Sequence, residues 1–164
     1  LFMEKFIFFE KNDFENIINF AIDKEKEAIE LYENLKKKVS SDNLISFIQN
    51  IIKMEQNHID KLKTLYDKKD IFESEVFKIQ YEPSIFDFIK IKKDTQNLSD
   101  LSYQDILLIA IDREKNSYDL YNKLAHTFKN IQQLYNTFVL LANEELSHKK
   151  FFEKIYDEDI LKEN

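Results

Sequence analysis

Apolar residues recur along this chain at alternating steps of four and three, which is the spacing of one face of an α-helix. Four stripes of this kind are present, and each is interrupted by one glutamate or by a glutamate and a histidine. The stripes are Phe14, Ile18, Ala21, Glu25, Ala28, Tyr32, Leu35; Leu44, Ile48, Ile51, Glu55, His58, Leu62, Leu65; Tyr103, Leu107, Ala110, Glu114, Ser117, Tyr121, Leu124; and Leu134, Phe138, Leu141, Glu145, His148, Phe152, Ile155. The pattern predicts four long helices whose apolar faces meet in one core.

Capping chemistry sets the expected limits of the first helical hairpin, about residues 13–68. The first helix is expected to begin near Asn12 or Asp13, where Asn12 and Glu15 have capping-box spacing, and to run to about Val39. Ser40-Ser41-Asp42 predicts a turn and an N-cap, after which a second helix fades near residues 67–70.

The second hairpin is expected at about residues 102–157, after a long crossover at about residues 69–101. The crossover mixes charged and aromatic residues around Pro83, and we expect a short helix after that proline. Ser102 is the expected cap of the third helix, which ends near Phe128. Asn130 is the expected cap of the fourth, which continues to about Tyr156.

The two hairpins repeat one another. The first and third stripes match at an offset of 89 residues, and the second and fourth match at an offset of 90. The sequence Ala21-Ile22-Asp23-Lys24-Glu25-Lys26 also recurs as Ala110-Ile111-Asp112-Arg113-Glu114-Lys115. The chain is therefore predicted to be a single all-α domain, a four-helix bundle built from two duplicated helical hairpins with a long crossover.

Composition narrows the class of protein. The 164 residues include no glycine, one proline and no cysteine, and this favours long helices over sheets and removes disulfides and cysteine-ligated metals. A net charge of −7 makes nucleic acid a poor partner. No apolar run reaches the ~18 residues of a membrane span, and the apolar opening lacks the features of a signal peptide. A cytoplasmic setting is expected.

The ionisable residues in the stripes are expected to meet in one layer. Glu25 lies 15 residues before the turn near Ser40 and Glu55 lies 15 after it, so the two are level in an antiparallel hairpin. Glu114 and Glu145 are level in the second hairpin by the same count. Each of Glu55 and Glu145 also begins a Glu-x-x-His motif, which places a histidine on the same face.

The layer of Glu25, Glu55, His58, Glu114, Glu145 and His148 has the chemistry of a metal centre. Burying unpaired charges is costly, but two divalent ions would balance four carboxylates. Oxygen-rich ligation with one imidazole per metal suits iron or manganese better than copper or a structural zinc. Two iron ions are the expected cofactor, with manganese or zinc as the alternatives. Six protein ligands leave positions open for oxygen species.

One glutamate from each of two helices and one Glu-x-x-His from each of two others is the ligand pattern of ferritin-like di-iron bundles. The chain resembles the rubrerythrin-like branch of that superfamily over nearly its whole length. The residues that carry the resemblance are Ala21, Glu25 and Tyr32, their repeats Ala110, Glu114 and Tyr121, and Leu141-Ala142 before Glu145 and His148.

The resemblance implies roles for these residues. Glu55 and Glu145 would bridge the metals, while Glu25 with His58 and Glu114 with His148 would be terminal ligands. It also implies a homodimer and either peroxide reduction or ferrous-iron oxidation. Two departures are visible, because rubrerythrins proper have a further ligand glutamate where this chain has Ser117, and they carry a rubredoxin module that needs cysteine.

The expected function is that of a di-iron carboxylate oxidoreductase, a peroxidase or ferroxidase that reduces hydrogen peroxide or dioxygen with electrons from a separate donor protein. The alternatives are a non-catalytic iron-binding, buffering or sensing bundle, a bundle with a structural metal, and an interaction module without metal.

Other ionisable residues near the stripes have simpler interpretations. Tyr32 and Tyr121 are assigned to core packing, with a hydrogen bond to a ligand carboxylate as the alternative. His126 is assigned to a helix C-terminus. Four further glutamates are expected to face solvent: Glu27, Glu30, Glu33 and Glu144.

Overall fold

The computed structural model describes residues 6–8, 11–68, 78–80 and 97–162, with side chains for 12–68 and 97–162. In chain order the elements are β1 (Phe6–Phe8), α1 (Lys11–Lys37), α2 (Asp42–Asp67), β2 (Lys78–Gln80), a 3₁₀ turn (Leu98–Asp100), α3 (Tyr103–Thr127), α4 (Gln132–Tyr156) and a π-helical turn (Asp157–Leu161). Helix α1 packs on α2 and α3 on α4, and the two hairpins meet through α1 with α3 and α2 with α4. The predicted all-α bundle of two hairpins is confirmed.

Two of the predicted helix caps are confirmed. Ser41 caps α2 by accepting a hydrogen bond from the backbone N–H of Leu44 at 3.4 Å. Ser102 and Asp105 form a reciprocal capping box at the start of α3, with backbone-to-side-chain distances of 3.1 and 3.2 Å. In both places a side-chain oxygen satisfies backbone donors that the first helical turn leaves unpaired.

The other two predicted caps are wrong. Helix α1 begins at Lys11, so Asn12 lies inside the helix. Helix α4 has Ile131 rather than Asn130 at its N-cap, and no side chain makes a capping hydrogen bond there. Ile131 packs against the apolar core, and its N–H donates to the carbonyl of Phe128 at 2.9 Å. Burial of an apolar side chain, rather than capping chemistry, therefore fixes the start of α4.

The core consists of two apolar clusters on either side of the layer that holds the predicted ligands. The first cluster joins the start of α1 and the end of α2 to the α3–α4 turn, with Phe14, Tyr121 and Phe138 among its largest members. The second joins the α1–α2 turn to the start of α3 and the end of α4, with Tyr32 and Phe152 at its centre. This arrangement seals the polar layer from both ends of the bundle.

A short antiparallel pair joins the segment before α1 to the predicted crossover. Phe6 pairs with Gln80, Ile7 with Ile79 and Phe8 with Lys78. The sequence did not predict this pair, because the low glycine content argued against hairpins, whereas strands distant in sequence need no tight turn. The predicted short helix after Pro83 lies outside the described residues.

Candidate metal centre

The structure brings all six predicted ligand residues into one buried layer. Each helix contributes at the level expected from the hairpin turns: α1 provides Glu25, α2 provides Glu55 and His58, α3 provides Glu114, and α4 provides Glu145 and His148. None of them is more than 3% exposed. Carboxylates and imidazoles are seldom buried this completely without partners that compensate for lost hydration.

The six side chains form two overlapping groups, each with the composition of a metal site. One group is Glu25, Glu55, His58 and Glu145, and the other is Glu55, Glu114, Glu145 and His148. Within each group, one ligand atom from every residue lies within 4.8 Å of the others. Glu55 and Glu145 belong to both groups, so the two groups share two carboxylates.

His58 lies at the centre of the first group. Its Nδ1 is 3.0 Å from Glu55 Oε2, 3.1 Å from Glu145 Oε1 and 3.8 Å from Glu25 Oε1. These three oxygens come from three different helices. Only the packed bundle can bring them to one nitrogen.

His148 occupies the corresponding place in the second group. Its Nδ1 is 2.9 Å from Glu55 Oε1, 3.5 Å from Glu114 Oε2 and 3.6 Å from Glu145 Oε2. Glu55 and Glu145 therefore each present one oxygen to His58 and the other oxygen to His148. Such a division of the two oxygens is what a carboxylate that bridges two cations requires.

Several inward-facing atoms of this layer are close together without hydrogen-bond partners among the described residues: both oxygens of Glu55, Glu114 Oε2, Glu145 Oε1 and the Nδ1 atoms of His58 and His148. Buried polar atoms are nearly always satisfied in folded proteins, because an unsatisfied one loses its hydration without compensation. Oxygen and imidazole donors that converge in this way fit a divalent cation of the iron or manganese type.

The pKa shifts of the glutamates also indicate that the layer would be stabilised by bound positive charge. Burial and the nearby negative charge of Glu55 raise the pKa of Glu25 to about 7. Burial and the charges of Glu55 and Glu114 raise the pKa of Glu145 well above its usual value. Burial opposes ionisation of Glu55, but contacts with His148 and His58 overcome it and lower its pKa. Protons thus compete with cations for these groups.

Contacts with the surrounding carboxylates raise the pKa of both histidines. Burial alone would lower the pKa of His148, but contacts with Glu114, Glu145 and Glu55 raise it to about 12. Burial likewise opposes the charged form of His58, and contacts with Glu144 and Glu145 raise its pKa well above the usual range. The two rings are stacked, with centroids 5.8 Å apart.

Two buried tyrosines connect the repeats at this layer. The Tyr32 hydroxyl donates to Glu114, and the Tyr121 hydroxyl donates to Glu25. Each tyrosine thus donates to a buried glutamate of the other hairpin. Both side chains are also buried in the core, so the predicted core packing is confirmed, and the alternative of a hydrogen bond to a carboxylate of the predicted ligand set is confirmed with it.

The outer nitrogens of the two histidines have different neighbours. His58 Nε2 is 2.9 Å from Glu144 Oε2, and Lys61 Nζ donates to the same oxygen at 3.0 Å. His148 Nε2 is 3.5 Å from the sulfur of Met54. The prediction that Glu144 faces solvent is wrong, because its side chain is only 26% exposed and turns toward α2.

Of the other predictions for residues near the stripes, some are wrong and some are confirmed. Glu27 is half-buried and pairs with Lys24 and Arg113, at 3.0 and 3.2 Å, so its predicted exposure is also wrong. Glu30 is exposed as expected, and His126 is exposed in the last turn of α3, away from the ligand layer. Sequence spacing missed Glu144 because a residue adjacent to a stripe points ~100° away from it, and only helix packing returns it to the site.

The four-helix bundle and its buried carboxylate–histidine cluster, which could hold metal ions, are those of the ferritin-like class. A family model described as Rubrerythrin matches residues 2–103 and 105–164. The chain belongs to the rubrerythrin family. Neither a curated protein nor a solved structure matches the chain. Within the described part of the chain, no helix is long and apolar enough to cross a membrane.

Proposed function

We propose that this protein is a di-iron carboxylate oxidoreductase that reduces hydrogen peroxide or dioxygen. The observation that carries the proposal is the sharing of Glu55 and Glu145 by both ligand groups, with one oxygen of each toward each histidine. Two cations held by these shared carboxylates would be close enough to act together on one small oxygen species. A single structural metal would not need a second, overlapping group.

Each ligand group would hold one iron ion. Glu25 and His58 would be the terminal ligands of one ion, Glu114 and His148 those of the other, and Glu55 and Glu145 would bridge them. When bound as the ferrous pair, the ions supply the two electrons that, with two protons, reduce hydrogen peroxide to two water molecules.

The surrounding residues would position the ligands and exclude water. The Tyr32 and Tyr121 hydroxyl groups hold Glu114 and Glu25 in place through hydrogen bonds. The two apolar clusters above and below the layer limit solvent access, which strengthens the electrostatic interactions inside.

Partners follow from the chemistry of the chain. No cysteine is present to build a thiolate iron site, so we propose that a separate donor protein returns electrons to the ferric pair. The homodimer, the cytoplasmic setting and the poor fit to nucleic acid stay predictions.

The test is anaerobic loading with ferrous iron, measurement of bound iron per chain, and a peroxide pulse followed by absorbance. We expect two irons per chain and rapid oxidation with an oxo-bridged ferric absorption. A Glu55→Ala, Glu145→Ala variant is expected to lose this reaction. The matched control, Glu30→Ala with Glu158→Ala, removes the same charge from exposed positions. Equal oxidation rates in the two double variants would refute the proposal.

A bundle that binds iron without turnover is the second candidate, and Ser117 is the observation that favours it. Ser117 follows Glu114 by three residues, where rubrerythrins proper have a further glutamate ligand. A buffer or sensor would bind two metals and show no fast oxidation. Repeated cycling with a chemical reductant and peroxide separates the two candidates.

A further inference from the structure

The two halves of the ligand layer differ at one pair of equivalent positions. Met54 and Glu144 are 90 residues apart, the same offset as the two Glu-x-x-His motifs, and each directly precedes the glutamate of its motif. Each side chain crosses to the histidine of the other repeat: Glu144 to His58 and Met54 to His148. The duplication therefore places a carboxylate behind one histidine and a thioether behind the other.

We propose that the two metal positions are inequivalent and that the first divalent metal binds at the His58 position, because Glu144 positions and polarises His58 as a ligand. The inference rests on the proposed two-metal centre and adds an order of binding to it. Glu144 is a positioning residue in this proposal, since it acts on the metal only through the imidazole.

The physical difference lies in what each neighbour can accept. A carboxylate 2.9 Å from His58 Nε2 can accept its N–H when a metal has displaced the proton from Nδ1, and this would make Nδ1, which lies beside Glu55 and Glu145, a stronger donor to the metal. The Met54 sulfur, 3.5 Å from His148 Nε2, is a weak acceptor and carries no charge. His148 thus lacks an equivalent anchor on its outer nitrogen among the described residues.

A second difference between the two halves also favours the His58 position. Lys61 donates to Glu144 Oε2 at 3.0 Å and holds the carboxylate against His58. The position equivalent to Lys61 in the other repeat is Phe151, whose ring contacts that of Phe47 in a tilted arrangement with centroids 5.3 Å apart. A cation that fixes the outer neighbour is therefore present on the His58 side, where the His148 side has an aromatic contact.

Partners of metal-bound histidines typically change metal affinity by about 10–100-fold. We expect the His58 position to be favoured over the His148 position by a ratio in that range. At one metal per chain, the His58 position would then hold nearly all of the metal. Because the two groups share carboxylates, binding of the first metal would change the binding constant of the second even if the two sites were identical. Two different binding constants are therefore not enough, and the test must report which position fills first.

The experiment uses the full chain with Mn²⁺ as the probe. Crystals of protein that carries one Mn²⁺ per chain are expected to show anomalous scattering mainly at the His58 position. A Glu144→Met, Met54→Glu double variant exchanges the two neighbours and is expected to move the preference to the His148 position. Glu144→Gln keeps an acceptor oxygen without the charge, and its preference should be weaker but in the original direction.

The outcomes are distinct. Equal occupancy of two positions in the unaltered protein would overturn the inference and leave the two-metal proposal intact. A preference for His58 that the exchange leaves unchanged would also overturn it, since Glu144 would not be the cause. Binding of fewer than two Mn²⁺ at saturation would overturn the two-metal proposal, and this inference with it. Circular dichroism of each variant checks that a loss of binding is not a loss of fold.

Discussion

Metal binding is expected to displace protons from the ligand layer. The number of protons displaced depends on the pKa values of the six residues in that layer. At pH 7 both histidines are expected to be protonated in the metal-free protein, because carboxylate contacts raise the pKa of His148 to about 12 and raise that of His58 as well. Burial raises the pKa of Glu25 to about 7, so this carboxyl is expected to be half-protonated, and burial also raises the pKa of Glu145 well above its usual value. Glu55, with its lowered pKa, contributes none.

Coordination requires all of these groups without their protons. Loading two divalent ions at pH 7 should therefore release at least about two protons per chain from the histidines and Glu25. The sign follows directly: as pH rises, fewer protons must be displaced, so the apparent affinity rises. Near pH 7 the overall binding constant for two ions is expected to increase at least about 10²-fold per pH unit.

The assay is titration calorimetry with Mn²⁺ in buffers of different ionisation enthalpy. The slope of the observed enthalpy against the buffer enthalpy gives the number of protons released. Glu25→Gln should lower that number by about half a proton, while Glu30→Gln, at an exposed position, should leave it unchanged. A release of less than one proton would refute the reasoning, because the buried carboxylates and imidazoles would then already be deprotonated.

Three further predictions concern stability, measured by urea unfolding of the metal-free protein. The raised pKa of Glu25 means that its contribution is present below pH ~4.5 and lost as pH rises through about 7, by up to roughly 3 kcal/mol, and Glu25→Gln should flatten this dependence. Tyr32→Phe and Tyr121→Phe should each cost about 1–3 kcal/mol by leaving a buried carboxylate oxygen unsatisfied, and unchanged midpoints would contradict those hydrogen bonds. Ser102→Ala should cost about 1 kcal/mol through the lost cap of α3, and a cost no larger than that of Ser99→Ala would contradict its capping role.

The ligand layer could be predicted from the sequence because its geometry is mostly local. Helical periodicity fixes which face Glu55 and His58 share, and equal distances from a turn fix the level of Glu25 against Glu55. Duplication then supplies the second half. The six side chains that these rules select are the six that the structure brings together.

The features that sequence reasoning missed depend on how helices pack against one another. Glu144 lies beside the stripe of α4, and only the approach of α2 gives it His58 and Lys61 as neighbours. Ile131 replaces Asn130 at the start of α4 because its side chain is partly buried by the first apolar cluster. Strand pairing between residues 6–8 and 78–80 joins segments distant in sequence, which local patterns do not report.

The crossed contacts of the ligand layer explain why the two hairpins form one unit. The His58 group needs Glu145 from the second hairpin, and the His148 group needs Glu55 from the first. Tyr32 and Tyr121 also reach across to the glutamate of the opposite repeat. Neither hairpin alone holds a complete group, so a cation in either group would tie the two repeats together.

Fusion of the repeats in one chain has a chemical consequence. A symmetric pair of identical hairpins would carry the same residue behind both histidines, so its two metal positions would be equal by symmetry. In the fused chain, position 54 is methionine and position 144 is glutamate, and the two histidines no longer have equal support. Duplication thus preserves the six shared ligands while it allows the neighbours behind them to diverge, which lets the two halves of one centre take different affinities.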